Sequence, residues 1–551
     1  MQSINKNTSV LSCVKHYFKK HLGIFLLTLL TVILVTALTL IPPQLLRLIV
    51  DDIIPCSNKS KLLIYAIGYG ACYLLMGLIV ALKETLLVII SQGVGKALRL
   101  SMIQKIHTMS YLNFSQYDVG TLEAYFSNDV DSINTLITSG VISMVIDSVK
   151  MIGILVSIFI FSYLFGLLTL CVVPLITLFT LWVKKRMFKA QKLNRHLEGE
   201  VNNSVLEALD NIKTIKSFRL YDSIEAKYNT ILKGHFKTNQ EANNYDALFS
   251  PVMNVLKYGL IVLVIVLSSL STSSGTTLLG MTVGMVVSSI DLLSSLFSPI
   301  ESLGMEIQTI QSSLASIKRI NEFFLLPDDE AKDIDHVPNL DQGIILEFKD
   351  VTFSYEKPEA HHNVLDHFNL RLSNHDHLTL KGLSGSGKST LFKLAYGLIK
   401  PQNGHVTING ADTYRLSDQA KRSCFGIVYQ DYFFSQGTIK EELTLLNPNI
   451  SDTDVFNALN LVGLTRIQDI HVPLILTDYS TGELSLFNIA RAILLDSRIL
   501  FLDEMNAKID QVSAHNVINI INNVSHDKLV LSINHYGDFI DDSQILNLDK
   551  I

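Results

Sequence analysis

A glycine-rich stretch that ends in a lysine and a serine is the strongest chemical signal in the sequence. The segment GLSGSGKST, residues 382–390, lies between the strand pattern HLTLK and the helical pattern LFKLAYGLI. Gly385 and Gly387 allow backbone N–H groups to close around phosphate oxygens at the positive end of a helix. We expect Lys388 to reach the β- and γ-phosphates of a nucleotide, and Ser389 to bind Mg²⁺ through its hydroxyl.

A pair of carboxylates supplies the second half of a phosphate-cleaving site. Asp503 and Glu504 follow directly on the apolar strand pattern RILFL. Asp503 suits a direct or outer-shell ligand of Mg²⁺, and Glu504 suits the base that positions an attacking water. Two surface carboxylates after a strand are the weaker interpretation, because a phosphate-binding segment precedes them in the chain.

The elements that position these residues make up only part of the chain. At 551 residues, with 48% apolar and 17% charged residues and a mean hydropathy of +0.32, the sequence is typical of a membrane protein. The net charge of −6 does not favour a nucleic-acid-binding protein. The five cysteines are scattered and form no C-x-x-C motif, so they indicate neither a disulfide framework nor a zinc site.

Long apolar runs before residue 305 predict six membrane-spanning helices. Lysines and arginines flank the inner ends, whereas the outer links FSYLFG and SSLSTSSGTT carry none, so both ends of this half are expected in the cytoplasm. The long inner links are helical in pattern, and their turns at Asn113–Gly120 and Phe218–Ser223 are candidate contact elements. The predicted spans are 21–47, 62–90, 137–163, 166–183, 250–269 and 276–300.

Ionisable residues within the spans are candidates for lining a cavity. Asp147 and Lys150 stand three residues apart, and an ion pair within one helix is an equally good interpretation. Asp291 has several serines close by in the sixth span, and the pattern supports a substrate-lining role and helix–helix hydrogen bonding about equally.

The pattern changes after the linker LLPDDEAKDIDHVPNLDQG to alternating strands and helices, which predicts a soluble α/β domain. A histidine-rich patch, HHNVLDHFNLRLSNHDH, runs from His361 to His377, just before the phosphate-binding segment. Its place among predicted strands and turns favours exposed histidines over a metal site.

Six spans with long inner stalks, followed by a phosphate-binding α/β domain, resemble an ABC exporter half-transporter along essentially the whole chain. The resemblance is to multidrug, peptide and bacteriocin exporters. It implies a membrane α-helical bundle of six transmembrane helices fused to a C-terminal α/β P-loop ATPase domain, with ATP and Mg²⁺ as cofactors. The expected limits are 1–310 for the transmembrane domain, 311–342 for the linker and 343–551 for the nucleotide-binding domain.

The resemblance implies roles for residues that match the family's motifs. Tyr355 matches the aromatic residue that stacks on adenine, and Gln430 matches the Q-loop glutamine, a Mg²⁺ contact and sensor. Asp503 and Glu504 match Walker B and its catalytic glutamate, and His535 matches the switch histidine that contacts the γ-phosphate. The match to Walker A consists of Gly382, Leu383, Ser384, Gly385, Ser386, Gly387, Lys388, Ser389 and Thr390. The implied catalytic residues are Glu504, His535 and Gln430, and the implied Mg²⁺ ligands are Ser389, Gln430 and Asp503.

The start of the signature helix departs from the family pattern. Most members read LSGGQ, whereas this chain reads YSTGE, which keeps Ser480 and Gly482. Thr481 brings a β-branched side chain to a position where backbone must approach a phosphate closely, and Glu483 adds a negative charge near an anion. A tolerated variant of the signature is the alternative interpretation. The stretch before it, HVPLILTDYS, is shorter than in typical exporters, and Asp510 beyond it matches the D-loop aspartate.

Two such halves share two ATP sites in the family, each made of one chain's Walker residues and the other chain's signature. Good Walker residues beside an altered signature favour an asymmetric heterodimer, whose partner is expected to lack the counterpart of Glu504. A homodimer is the alternative. The expected activity is ATP-driven export of a peptide, drug or lipid across the cell membrane. An ATP-binding membrane regulator that transports nothing itself is the rival interpretation.

Overall fold

The computed structural model describes residues 9–550 with short gaps, and the chain divides into two compact units. The first unit contains the described residues up to His107 together with Tyr117–Leu326. The second contains Thr108–Gln116 and the described residues from Pro327 onward. The gaps are at 57, 271–278, 331, 339–342, 356–362, 384, 431–432, 436, 496, 505–510, 527 and 535–542.

Long helices build the first unit. Helix α1 (Val10–Lys20) is followed by α2 (Leu22–Leu48), which continues through both of its prolines and passes into a π-helical turn at Ile49–Ile53. The following helices are α3 (Lys59–Thr108), α4 (Tyr111–Phe114), α5 (Val119–Ala124), α6 (Val130–Thr135), α7 (Ile142–Phe161), α8 (Tyr163–Asp210), α9 (Ile212–Phe218), α10 (Tyr221–Ser269) and α11 (Val283–Phe324). Of these, α4 belongs to the second unit.

Six helical segments in the described part of the chain are long and apolar enough to cross a membrane. Large apolar side chains such as Ile64, Ile160 and Leu175 are exposed on them, as a lipid-facing surface requires. The predicted six-helix membrane region is therefore confirmed, although the last helix begins at Val283 rather than at 276. The segments are Leu22–Ile53, Lys59–Thr108, Val119–Phe161, Tyr163–Asp210, Tyr221–Ser269 and Val283–Phe324.

Buried polar contacts join helices of the first unit that are far apart in the sequence. Asp129, which is 5% exposed, accepts hydrogen bonds from Arg319 and Ser316 of α11. At the start of α11, Asp51 accepts a hydrogen bond from the Gly284 N–H at 2.7 Å, so a carboxylate stands at the positive end of that helix. These contacts fix the position of α11 against the helices that precede it.

The ionisable residues of the spans make different contacts. Asp147 accepts a hydrogen bond from Ser302 of α11, and no ion pair joins it to Lys150, both of which the structure describes. The carboxylate thus links two helices rather than two turns of one helix. Asp291 is half-buried, and the nearby Ser288 is fully buried. A cavity-lining role for these residues stays a prediction.

The second unit contains two sheets and several shorter helices. Its strands are β1 (Ile345–Phe353), β2 (Leu365–Ser373), β3 (His377–Lys381), β4 (Asn403–Ile408), β5 (Ala411–Asp412), β6 (Phe425–Val428), β7 (Ile499–Asp503), β8 (Leu529–Ile533) and β9 (Gln544–Asn547). Its helices beyond α4 are α12 (Lys388–Ala395), α13 (Asp418–Cys424), α14 (Ile439–Thr444), α15 (Asp452–Leu461), α16 (Thr481–Leu494) and α17 (Gln511–Val524).

A five-stranded parallel sheet, in the order β6-β7-β8-β3-β9, positions the candidate site. Its central strands are almost wholly buried, as is usual for parallel sheets covered on both faces. The glycine-rich segment follows β3 and the carboxylate pair ends β7, so both lie at the carboxyl edge of this sheet. A second, antiparallel sheet has the order β2-β1-β4-β5. The predicted α/β domain is therefore confirmed.

The described histidines of the histidine-rich patch occupy a strand, a turn and the start of a strand. His367 lies in β2, His375 in the turn after it, and His377 at the start of β3. Within the described residues, no group of histidines, cysteines and carboxylates could hold a metal ion. His361 and His362 lie outside the described residues.

Candidate nucleotide site and signature helix

The glycine-rich segment forms a turn between β3 and α12. Gly382 and Gly387 have φ angles of 151° and 93°, a region that other residues rarely adopt. A Cβ atom at Gly382 would lie 2.4 Å from the Ser386 hydroxyl, and one at Gly387 would lie 2.9 Å from a methyl group of Val364. The turn therefore keeps its shape only with glycine at these two positions.

The polar atoms of this turn fit a phosphate group. Lys388 is 7% exposed, and its Nζ donates hydrogen bonds to the carbonyl oxygens of Gly382 and Leu383, both at 2.8 Å. The Ser386 hydroxyl is buried and has no hydrogen-bond partner among the described residues. Ser389, in the first turn of α12, is exposed. The Lys388 ammonium group and the Ser386 hydroxyl can donate hydrogen bonds to phosphate oxygens. The exposed Ser389 hydroxyl is available to bind a cation.

Tyr355 stands beside the phosphate loop with half of its surface exposed. Its hydroxyl lies 3.2 Å from the Thr390 hydroxyl, and its ring packs edge-on against Phe353 with the centroids 5.0 Å apart. The exposed fraction of 51% leaves room for a planar base to stack on the ring.

At the end of β7, one residue of the carboxylate pair contacts the predicted glutamine. Gln430 follows β6, and its Nε2 donates a hydrogen bond to Glu504 Oε2 at 2.6 Å. Glu504 has a φ of 45°, and its N–H donates to the Ile533 carbonyl at 3.0 Å. A non-glycine residue with positive φ is uncommon, and such backbone strain often occurs at functional sites.

The predicted site residues fall into three groups in the structure. Thr390, at the end of the Walker A segment, contacts Tyr355, and Gln430 contacts Glu504. Ser480 and Gly482 lie apart from the loop in sequence, at the start of α16. Ser384, Asp510 and His535 lie outside the described residues.

The segment YSTGE begins helix α16 with a reciprocal pair of caps. The Ser480 hydroxyl accepts a hydrogen bond from the Glu483 N–H at 3.2 Å. Glu483 Oε2 in turn accepts from the Ser480 N–H and from its hydroxyl, both at 2.9 Å. This capping box makes Thr481 the first helical residue and Gly482 the second. The altered residues are thus compatible with a regular helix start.

An arginine that no motif predicts balances the charge of Glu483. Arg466 Nη2 lies 2.8 Å from Glu483 Oε1, and the guanidinium carbon lies 5.0 Å from the ring centroid of Tyr479. Hydrogen bonds from the Ser480 backbone and hydroxyl, together with the charge of Arg466, hold the pKa of the Glu483 carboxyl below its usual value. Glu483 is therefore ionised at neutral pH and has a cation beside it.

Two tyrosines near Asp503 were also missed by motif-based prediction. Burial raises the pKa of the Tyr396 hydroxyl, and the side chains of Tyr396 and Tyr429 are hydrogen-bonded to each other. Tyr111, in helix α4 of the same unit, is close enough for electrostatic interaction with both. The one available signal in the sequence was that Tyr429 immediately precedes Gln430.

Two family models match the chain in the order of its two regions. The model of the ABC transporter transmembrane region matches residues 25–300, which is half of the chain. The ABC transporter model matches residues 365–507, a range that contains the phosphate loop, the signature segment and the carboxylate pair.

Individual proteins match along nearly the whole chain. The ABC transporter ATP-binding protein YknV of Bacillus subtilis is 28% identical over 515 residues, covering 91% of this chain and 83% of the relative. The lactococcin-A transport/processing ATP-binding protein LcnC of Lactococcus lactis is 26% identical, with 91% of this chain and 70% of the relative covered. A bacterial Atm1-family ABC exporter solved with ATP bound has a TM-score of 0.74 at 21% identity, covering 96% of this chain and 93% of that one. It has the same fold.

Proposed function

This chain belongs to the ABC transporter family, as an exporter with its membrane and ATPase regions in one polypeptide, and we propose that it is one half of an asymmetric heterodimer. It is a multi-pass membrane protein, and its second unit is an ATP-hydrolysing domain. We also propose domain limits of 1–310, 311–342 and 343–551, with both termini in the cytoplasm.

Hydrolysis is assigned to side chains at the ends of β3 and β7. Lys388 holds the β- and γ-phosphates, while Glu504 positions the attacking water and accepts its proton. The observation that carries this assignment is the 2.6 Å contact between Gln430 and Glu504. It orients a carboxylate at the sheet edge where the phosphate loop begins, although the two residues are far apart in the chain.

The remaining roles rest on the motif matches. Tyr355 stacks on adenine and His535 contacts the γ-phosphate. The exposed hydroxyl of Ser389, with Gln430 and Asp503, fits an oxygen-rich cation site, and bound Mg²⁺ would neutralise phosphate charge there. Residues proposed to serve the ATP site across the dimer interface are Ser480, Gly482 and Asp510.

The charge at the signature supports the heterodimer. In the capping box, the Ser480 hydroxyl both accepts a hydrogen bond from Glu483 and donates one to it, so the hydroxyl is already engaged. An ionised carboxylate at this helix start also opposes the approach of a phosphate. A partner with an unaltered signature would complete the site built on Lys388 and Glu504. The site that uses YSTGE would then be the weak one.

A homodimer is the second candidate, and a specific observation favours it. The helix start is regular, Ser480 is its N-cap, and Arg466 offsets the charge of Glu483. Such a signature could still close over a phosphate, with slower turnover. A membrane regulator without transport is less well supported, because ATP binding alone would not require Glu504 to contact Gln430.

The cargo is proposed only by class. One relative is by name a lactococcin-A transport protein. A peptide, an amphiphilic drug or a lipid fits the largely apolar spans of this chain, in which ionisable side chains are few.

The experiment that tests the function compares ATPase activity of the chain purified alone in nanodiscs with that of the Glu504→Gln variant. Native mass spectrometry of the same samples would report whether two copies associate. The heterodimer predicts measurable ATP binding with little turnover by the chain alone. Addition of the co-purified partner half should then give turnover that Glu504→Gln abolishes.

Two outcomes would contradict the proposal. Strong turnover by a dimer of this chain alone, abolished by Glu504→Gln, would favour the homodimer. The regulator would be favoured if ATP is bound but not hydrolysed, both by the chain alone and with a partner half, and if the Glu504→Gln variant functions in cells like the parent.

A further inference from the structure

The first peptide of the phosphate loop is held from two sides. The Leu383 N–H donates a hydrogen bond to Asp549 Oδ1 at 2.7 Å. On the other side, Lys388 Nζ donates to the carbonyl oxygens of Gly382 and Leu383, both at 2.8 Å. The same short stretch of backbone therefore connects an aspartate near residue 550 to the lysine that is proposed to hold the phosphates.

The sheet delivers Asp549 to this position. Strand β9 runs parallel to β3, with Asn547 paired to Lys381, the last residue before the loop. Leu548 is 6% exposed and packs in the core of the unit, which anchors the turn that follows β9. The Asp549 N–H donates to Asn547 Oδ1 at 3.0 Å, so the backbone of Asp549 is also fixed.

The contact is close enough to restrict the loop itself. A Cβ atom at Gly382 would lie 3.1 Å from Asp549 Oδ1, in addition to its clash with Ser386. The carboxylate thus packs against the bend at which β3 turns into the loop. A hydrogen bond from the Leu383 N–H to a side-chain oxygen can hold a bend that lacks regular strand pairing.

We propose that Asp549 is a positioning residue for ATP, which sets the place of the Lys388 ammonium group by fixing the Gly382–Leu383 backbone. Asp549 acts through the loop and makes no contact with the nucleotide. Its effect is therefore specific to ligands that use Lys388, namely those with β- and γ-phosphates. Affinity for the adenosine part is independent of it.

The alternative is a purely structural role, in which Asp549 only closes the turn after β9. In that case the loss of Asp549 would lower the stability of the domain and weaken the binding of all nucleotides alike. The two interpretations differ in which nucleotides bind more weakly and in whether the loss of binding is accompanied by a loss of domain stability.

The test measures equilibrium binding of ATP and of AMP to the full chain in nanodiscs, with Glu504→Gln present throughout to prevent hydrolysis. Asp549→Ala removes the acceptor, and Asp549→Asn keeps an amide oxygen in its place. The matched control is Asp335→Ala, since Asp335 is exposed and makes no hydrogen bond or ion pair with any described residue. Thermal unfolding of each variant is recorded alongside.

Asp549→Ala should weaken ATP binding about fivefold, which is what one ordinary hydrogen bond contributes, and should leave AMP affinity within about twofold. Asp549→Asn should bind ATP within about twofold of the parent. The proposal is overturned if Asp549→Ala binds ATP like Asp335→Ala, if ATP and AMP weaken equally, or if the Asn variant loses as much as the Ala variant. Because only ATP binding by this chain is measured, the result does not depend on whether the dimer is symmetric.

Discussion

The phosphate loop and the signature segment are both turns that lead into helices, yet they hold their polar groups in opposite ways. The loop bends through glycines with positive φ and leaves the Ser386 hydroxyl without a partner among the described residues. The signature segment, Tyr479–Glu483, contains no residue with positive φ, and its Ser480 and Glu483 satisfy each other. The loop keeps donors available for a ligand, whereas the signature uses its donors internally.

This difference shows what the substitutions in YSTGE change and what they preserve. A glutamate at the third helical position completes a capping box, which is a stabilising choice for a helix start. Local folding therefore does not account for a weak signature. The property that we propose to be altered is electrostatic, because Glu483 replaces the glutamine that most members of the family have at this position, and Arg466 offsets that charge.

Removal of the loop lysine should have the largest effect. Lys388→Ala loses a buried ammonium group whose charge-assisted hydrogen bonds contribute roughly 1.5–3 kcal/mol each, so ATP affinity should fall about ten- to a hundredfold. Titration of ATP into the full chain in nanodiscs measures this. The control is Lys400→Ala, which removes a surface lysine paired with Glu330. Equal ATP affinity in the two variants would mean that the loop does not hold the phosphates.

Replacing one glycine by alanine in each region should distinguish a glycine that the backbone conformation requires from one that lies in an ordinary helix. Gly382→Ala forces a side chain into a φ of 151° and against Ser386, a strain of about 1–3 kcal/mol, and should weaken ATP about tenfold. Gly482→Ala lies in a regular helix and should leave the ATP affinity of the chain alone intact, whereas it should lower the turnover that two paired copies of this chain show. Binding and turnover are measured on the same samples. A loss of ATP affinity in Gly482→Ala would contradict this division.

Sequence patterns were sufficient to predict the features that depend on residues close together in the chain. The phosphate loop, the strand before the carboxylate pair and the six apolar helices each depend on spacing within a few turns, and the structure has all of them. Arg466 was missed because its partner Glu483 is far along the chain and the pair has no fixed spacing. The sequence pattern predicted only a turn at Asn113–Gly120. It could not predict that Thr108–Gln116 belongs to the second unit, because hydrophobic periodicity carries no information about which unit a turn joins.

Restoration of a neutral signature should raise turnover. Glu483→Gln keeps the capping box, because glutamine can make the same hydrogen bonds, and removes one charge. At the dielectric of water that charge is worth about 1 kcal/mol toward an anion about 4 Å away, so we expect an increase of about fivefold in the ATPase rate of two paired copies of this chain, in which every site also contains Glu504. Thr481→Gly should add to it by allowing closer backbone approach.

The matched control for this gain is Glu441→Gln. Glu441 forms an equivalent capping box with Thr438 at the start of α14, so the same charge is removed at a helix start outside the signature. An equal increase in both variants would assign the effect to net charge of the domain. If the chain alone already turns over ATP and Glu483→Gln gives no increase, YSTGE already works as a signature, and the main support for the heterodimer is removed.

Arg466 should have the smallest effect, and a double-mutant cycle isolates it. Loss of Arg466 leaves Glu483 with its charge unbalanced, so Arg466→Ala should lower the ATPase rate of the Thr481→Gly chain about twofold, since exposed ion pairs contribute only ~0.2–1 kcal/mol. The reduction should shrink as salt is raised to about 0.5 M, because screening weakens exposed pairs. In the presence of Glu483→Gln, the same change should have no effect on the rate. If Arg466→Ala lowers turnover equally in both backgrounds, the arginine acts on something other than Glu483, and the offset of charge at the signature would have to come from elsewhere.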